Sequence, residues 1–199
     1  MPNWFFLALI APILWSMVNH LDKYMLSKYL KDRGVGALLI FSSLASIVVL
    51  PFLAIFYRSK IFNISLIDFS ILFIIGFLSA TAFYFYLRAI DMEEASIVIP
   101  IFQFDPIFGY ILSYFILKES LGINQIFASI LILIGIILIS VEIDIDNKFK
   151  FKKKVLLLVA TSSFMFALSG VLFKKLALID SFWVSIFWQY VGLTVFGIL

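Results

Sequence analysis

The feature that most limits what this chain can fold into is a series of seven long apolar runs that carry almost no charge. About 20 such residues in a helix cross a bilayer core about 30 Å thick, whereas transmembrane strands would be about ten residues long and would alternate apolar with polar residues. The sequence therefore predicts an all-α integral membrane protein, a multi-helix bundle. The runs cover residues 4–21, 34–57, 70–87, 95–117, 120–141, 155–173 and 181–199.

The composition excludes the other large classes of protein. Hydrophobic residues make up 64% of the 199 positions and charged residues only 14%, whereas a soluble domain has about 45–50% and about 25%. A water-soluble fold of this length could not bury so much apolar surface. Disorder is excluded as well, because 24 Phe residues are the opposite of a disordered composition.

Several chemistries are excluded by missing residue types. The chain has no Cys and a single His, His20, which argues against disulfides, thiol nucleophiles and metal sites. It contains no nucleotide-binding, serine-hydrolase or zincin motif, so we expect no enzyme activity and no metal. The basic residues lie between apolar runs rather than on one basic face, and we expect no nucleic-acid partner.

A charged stretch and a weak repeat divide the chain. Residues 142–154 run from acidic to basic between the fifth and sixth runs, which predicts a linker. A shift of 151 residues sets Trp15 on Phe166 and Lys23 on Lys174, with small or polar residues between them. Five spans precede the second copy, so it would lie inverted in the membrane, as in many secondary transporters.

The basic residues also predict an orientation. Ten of the fifteen Lys and Arg residues follow the first, third and fifth runs, which places the N-terminus outside the cytoplasm. The lysines of residues 142–154 are interpreted as a topological signal, with contact to anionic lipid headgroups as the alternative.

A polar stripe marks the first helix. Trp15, Asn19, Asp22 and Lys23 share one helical face, and such a stripe must face protein or water. One interpretation is hydrogen bonding between helices, with Asp22 and Lys23 reaching the surface. The other is a cavity wall on the substrate path, formed by Trp15, Asn19 and Lys23, with Trp15 stacking on a ligand.

The fourth run is the most informative, because two helix-breaking prolines, Pro100 and Pro106, lie within it together with Asp105. Each proline frees a backbone carbonyl, which is tolerated where a helix lines a cavity. A charged Asp at mid-membrane costs about 2.5–3.5 kcal/mol. Asp105 is either bonded to a neighbouring helix or couples transport to protons or substrate. Gln103 joins it as a substrate-path candidate, and Glu119, otherwise a solvated helix end, is the second coupling candidate.

The third run offers weaker signals. Tyr84 and Tyr86 lie near its end, where tyrosines commonly anchor a helix at the interface; Tyr84 is also a substrate-path candidate. Gly76 and Ala80 form a pair of small residues that predicts close helix packing rather than chemistry.

Several motifs together resemble the EamA-type domain of the drug/metabolite transporter superfamily, and the first helix from Leu14 to Lys23 is similar to that domain's first helix. The motifs are residues 94–100 (EASIVIP), 105–108 (DPIF), 117–122 (LKESLG), Gln125 and 131–136 (LILIGI).

The resemblance implies a ten-helix fold of two inverted five-helix repeats, with the first four helices of each half lining a central cavity. Residues 1–141 would form the first repeat, 142–154 the linker and 155–199 the start of the second. The chain as given would then be truncated after about seven helices. We expect roughly 80–110 further residues carrying three more spans of about 20 residues each.

The resemblance also implies secondary active transport in the cytoplasmic (inner) membrane without a bound cofactor, with efflux of amino acids or other small metabolites. Protons are the expected coupling ion, and a homodimer is among the oligomeric states allowed. Two features depart from the family: Asp105 stands where an apolar or small residue is common, and a cytoplasmic N-terminus disagrees with the count of basic residues, which leaves the orientation open. The alternative, a non-transporting membrane scaffold or sensor, does not explain Asp105.

Overall fold

The computed structural model describes residues 3–30, 34–120, 122–143, 149–151 and 153–199. These residues form a helical bundle, which confirms the predicted fold class. The helices are α1 (Asn3–Lys28), α2 (Gly34–Leu44), α3 (Ser46–Ile61), α4 (Leu66–Met92), α5 (Ala95–Ile101), α6 (Phe104–Leu112) with a π-helical turn (Ser113–Leu117), α7 (Ile123–Ser140), α8 (Lys153–Ala177) and α9 (Phe182–Ile198).

Four helical segments of the described residues are long and apolar enough to cross a membrane: Gly34–Ile61, Leu66–Met92, Ala95–Leu117 and Lys153–Ala177. Two shorter apolar helices cover Ile123–Ile136 and Phe182–Ile198. Helix α1 is 26 residues long, but polar residues interrupt its second half. The outer surfaces expose large apolar side chains, such as Val48 and Ile55 at 79% and 75%, which suits contact with lipid.

Two of the predicted runs are not single straight helices. The second is interrupted at Ala45, between α2 and α3, a position preceded by the serine pair Ser42 and Ser43 and followed by Pro51, two features that commonly accompany kinks. The fourth is interrupted between its two prolines. The apolar pattern gives the length of a span, whereas the kinks follow from individual residues.

Helix α4 is the centre of the bundle and packs most extensively on α8 and α9. It crosses α9 at Gly76, where an added Cβ atom would lie 2.5 Å from the backbone oxygen of Gln189 and the backbone nitrogen of Leu193. Gly192 meets Phe73 and Gly76 in the same way. Such small residues let helix backbones approach closely in a membrane, which confirms the packing role predicted for Gly76.

A buried apolar cluster joins α1, α2, α4, α5, α7 and α8. Lipid is as apolar as these side chains, so the cluster contributes close packing rather than a solvent-driven force. Hydrogen bonds between helices add to it: the Ser162 hydroxyl of α8 donates to the Ala82 carbonyl of α4 at 2.7 Å. The fold thus holds α8 firmly against α4.

The predicted linker has some regular structure. The short strands β1 (Val141–Ile143) and β2 (Phe149–Phe151) pair antiparallel, and Lys153 and Lys154 belong to the first turn of α8 rather than to a linker. Several residues used in the sequence predictions lie outside the described residues: Lys31, Arg33, Leu121, Lys148 and Lys152.

Candidate functional site

The break in the fourth span creates the candidate site. Helix α5 ends at Ile101 and α6 begins at Phe104. Pro106 has no N–H to donate to the carbonyl of Phe102, four residues earlier. The N–H of Asp105 and the hydroxyl of Ser163 on α8 donate to that carbonyl instead, at 3.0 and 3.2 Å. The repaired break holds α6 against α8 and puts Asp105 in the first turn of α6.

Asp105 lines a cavity of about 410 Å³, here called the carboxylate cavity, between α6, the π-helical turn, the start of α7 and α8. Its charged groups are Asp105, Glu119 and Lys174. The full lining is Asp105, Pro106, Gly109, Tyr110, Ser113, Glu119, Ser120, Gln125, Phe166, Ala167, Gly170, Val171 and Lys174.

Glu119 and Lys174 form an ion pair across this cavity, with Oε1 and Nζ 2.5 Å apart. Lys118 has a left-handed backbone (φ 59°), which ends the π-helical turn and turns the chain back at Glu119. Both side chains of the pair are about half exposed, and an ion pair of that kind contributes only about 0–1 kcal/mol. Each of the two side chains can therefore leave the other readily and bind a different charged group.

A second cavity of about 390 Å³, here called the serine cavity, lies between α1, α2, α4, α8 and α9. The hydroxyls of Ser79 and Ser169 are hydrogen-bonded within it at 2.7 Å, and the Gln189 amide donates to Ser79 at 3.3 Å. Its lining is Trp15, Ser42, Ser43, Ser79, Phe83, Phe166, Ser169, Gly170, Gln189, Tyr190 and Leu193.

The two cavities share a wall. Phe166 and Gly170 of α8 line both of them, so the same stretch of one helix borders a charged compartment and one that is mostly apolar with hydroxyl groups. A molecule in contact with that stretch would meet charges at one end and aromatic rings at the other.

The polar stripe of α1 divides between interior and cavity. Trp15 is 41% exposed and lines the serine cavity. Asn19 is buried and accepts a hydrogen bond from the hydroxyl of Tyr86. Lys23 donates to the carbonyls of Ile90 and Glu93 at 2.8 and 3.0 Å. The structure therefore places Lys23 at the end of α4, where a cation is favourable, rather than on the wall of either cavity.

Two other predicted path residues lie elsewhere. Tyr84 lies in a small groove with Leu39, Thr81 and Phe196, and Gln103 is exposed at the break between α5 and α6. Of the predicted site residues, the structure brings Asp105 and Glu119 together in the carboxylate cavity. It places Trp15 in the serine cavity.

Sequence reasoning missed several residues of the site. The repeat pairs Lys174 with Lys23 but gives it no place in a site, and no sequence motif singles out Ser79, Ser169 or Gln189 as site residues. The position of Ser79, Ser169 and Gln189 inside apolar runs is the signal that could have identified them. A hydroxyl or amide within an apolar span usually bonds across helices or faces a cavity. The interpretation of Tyr86 as an interfacial anchor is wrong, since its side chain is completely buried.

A family profile relates the chain to known proteins. No curated protein and no solved structure matches the chain. One family profile, that of the EamA-like transporter family, matches residues 2–141, the same part of the chain that carries the motifs noted in the sequence. This match confirms the resemblance and with it a membrane transporter with a small-molecule substrate. The chain belongs to the EamA-like transporter family of the drug/metabolite transporter superfamily.

Proposed function

We propose that the protein is a secondary active transporter that exports small metabolites, such as amino acids, across the cytoplasmic membrane by alternating access. The observation that carries this proposal is the pair of cavities that share Phe166 and Gly170. Their volumes fall in the range of about 300–1,000 Å³ that is usual for small-molecule sites.

The charges of the carboxylate cavity suit a molecule that carries both signs. The Asp105 carboxylate is a partner for an ammonium group, and Lys174 is a partner for a carboxylate once it leaves Glu119. Breaking that half-exposed pair costs little. An amino acid presents its two charges a few ångströms apart, and Lys174 and Asp105 line the same cavity.

The serine cavity suits the remainder of such a molecule. Trp15, Phe83 and Phe166 offer aromatic surface, and Ser79 and Ser169 offer hydroxyls close to it. Aromatic walls with a few placed polar groups are typical of small-molecule sites. The proposal therefore favours amino acids with apolar side chains.

Protons are the coupling ion that we propose, with Asp105 as the group that carries them and Glu119 as the next candidate. A carboxylate within a span loses much of its cost when it is protonated, or when a substrate cation pairs with it. Substrate and proton would therefore compete for Asp105, which is the property that an antiporter needs.

We also propose that residues 1–141 form one repeat and that α8 and α9 begin its inverted copy. Helices α1 and α8 have 26 and 25 residues, and a further apolar helix begins a few residues after each of them. Near their ends lie the corresponding lysines Lys23 and Lys174, each of which bonds to the other elements of the bundle.

The proposal is tested by counterflow in liposomes that contain the purified protein. Liposomes loaded with an unlabelled apolar amino acid should accumulate the labelled one transiently, whereas empty liposomes should not. Amines and carboxylic acids with the same side chain should compete at least about tenfold less well, because each lacks one charged contact worth ~1.4 kcal/mol or more. If none of these compounds shows counterflow, the protein does not transport them and the proposal is wrong. A scaffold or sensor protein would give that result.

A further inference from the structure

A second polar group lies between α1 and α4, outside the two cavities. It consists of Asn19, Asp22 and Tyr86, whose side chains are 1%, 6% and 0% exposed. The Tyr86 hydroxyl donates to Oδ1 of Asn19. Such complete burial of an amide, a carboxyl and a phenol is unusual unless their hydrogen bonds are satisfied.

Two atoms of this group have no hydrogen-bond partner among the described residues: Nδ2 of Asn19 and Oδ2 of Asp22. The two residues are three positions apart on one helix, so their side chains lie on the same face. A buried polar atom without a partner costs about 1–3 kcal/mol. One of these atoms is a donor and the other an acceptor, so each chemically complements the other.

The number of oxygen atoms decides which ligand this group suits. The described residues hold no cluster of three or more Asp, Glu, His or Cys side chains that could bind a metal ion, and hard cations take about six or more oxygen ligands. Here Tyr86 already uses Oδ1 of Asn19, which leaves a single carboxyl group. A proton needs only that one carboxyl oxygen.

The surroundings of Asp22 contain few other charges. Lys23 follows it on α1, with its ammonium held by the carbonyls of Ile90 and Glu93 at the end of α4. From α4, Tyr86 faces the group through its hydrogen bond to Asn19, and Glu93 lies at the helix end. Helices α2 and α5, which also pack on α1, contain no titratable side chain.

We propose that Asp22 is a proton-binding site enclosed between α1 and α4, with Asn19 and Tyr86 as its polar neighbours. Protonation transfers a proton from hydronium at the nearby end of α1 to Oδ2, which forms an O–H bond and leaves a water molecule. Nδ2 of Asn19, which has no partner among the described residues and lies on the same face of α1, is a donor available to the ionised carboxyl. Trp15, one turn before Asn19, lines the serine cavity, so the site lies between that cavity and the end of α1.

The test is infrared difference spectroscopy of the full-length protein in lipid, recorded as the pH is lowered. A protonated buried carboxyl gives its own C=O band, and we expect one band that is lost in Asp22→Asn and retained in Asp91→Asn and Asp105→Asn. Asp91 is the matched control because it is an exposed Asp of α4. The band should shift in deuterium oxide, since its proton comes from water. This measurement does not depend on the proposed function, because it detects a carboxyl group rather than transport.

Asn19→Leu keeps the test decisive if Asp22→Asn does not fold. The position of a carboxyl band reports its hydrogen bonding, so removal of the neighbouring amide should move the Asp22 band without removing it. A spectrum in which Asp22→Asn retains every band of the unmodified protein, or in which Asn19→Leu moves none of them, would overturn the proposal.

Discussion

Lys174 of α8 and Glu119, at the end of the fourth span, form an ion pair of 2.5 Å at the edge of the carboxylate cavity. This contact joins the two parts of the chain that we propose as separate repeats. It is half exposed, so we expect it to govern access to Asp105 rather than the stability of the protein.

The first prediction concerns this pair. Glu119→Gln and Lys174→Gln should each lower the exchange rate, because one charge remains without its partner beside the substrate. Each should change the free energy of unfolding by no more than about 1 kcal/mol. Initial exchange rates and thermal melting in detergent measure the two effects separately.

The double variant that exchanges the two charges, Glu119→Lys with Lys174→Glu, is the control. It restores the contact and should recover part of the exchange that each single reversal loses. If the double variant exchanges no faster than either single charge reversal, the contact itself is not required.

The second prediction concerns Trp15. Trp15→Ala should lower exchange about tenfold or more, since a lost contact of ~1.4 kcal/mol corresponds to a factor of ten in affinity, and should leave membrane insertion intact. The matched control is Trp183→Ala on α9, which has similar exposure (43% against 41%) and stacks on Tyr57 instead. If Trp15→Ala and Trp183→Ala exchange substrate at equal rates, Trp15 only packs and does not contact the substrate.

The third prediction concerns the crossing of α4 and α9. Gly76→Ala should destabilise the protein by about 1–3 kcal/mol, as overpacking does, because the new Cβ atom meets backbone atoms that have no room to move. Gly135→Ala on α7 is the control, since a Cβ atom there meets nothing within 4 Å. The two variants are compared by their melting temperatures in the same detergent. Equal melting temperatures would contradict a close crossing of α4 and α9 at Gly76.

Much of the fold could be predicted from the sequence, because long apolar runs and prolines act through local chemistry. The break beside Asp105 follows directly from Pro106, and the close approach at Gly76 follows from the small residues. The apolar pattern of the second run does not predict the interruption at Ala45, because the kink follows from individual residues such as Ser42, Ser43 and Pro51.

The candidate site was predictable only in part. Asp105 and Trp15 stand out in any reading of the sequence, but the ion pair of Glu119 with Lys174 joins residues 55 positions apart, and no local pattern predicts such a contact. Tyr86 shows the opposite error: its place near a helix end predicts an interface, whereas the packing of α1 on α4 encloses it.

The fourth prediction concerns Asp180, in the loop between α8 and α9. Partial desolvation, and next the Asp68 carboxylate, raise the pKa of Asp180 above its ordinary value. The folded protein thus holds this proton more tightly than the unfolded chain. The resulting stability is present below the ordinary pKa of Asp and is lost as the pH rises through the raised value.

Asp68→Asn removes one of the two causes and should lower the pKa of Asp180, which NMR titration of the carboxyl measures. The melting temperature of the variant should fall less than that of the unmodified protein as the pH rises through this range. An unchanged titration would show that Asp68 does not act on Asp180.

The most direct test of the proposed function is accumulation driven by a pH gradient in liposomes that contain the Asp105→Asn variant. Asn keeps the size and hydrogen bonding of the side chain but cannot carry a proton. We predict that the unmodified protein accumulates substrate in response to the gradient, and that the variant loses this response while it still exchanges substrate by counterflow. A variant that accumulates substrate as fully as the unmodified protein would contradict the role of Asp105 in coupling.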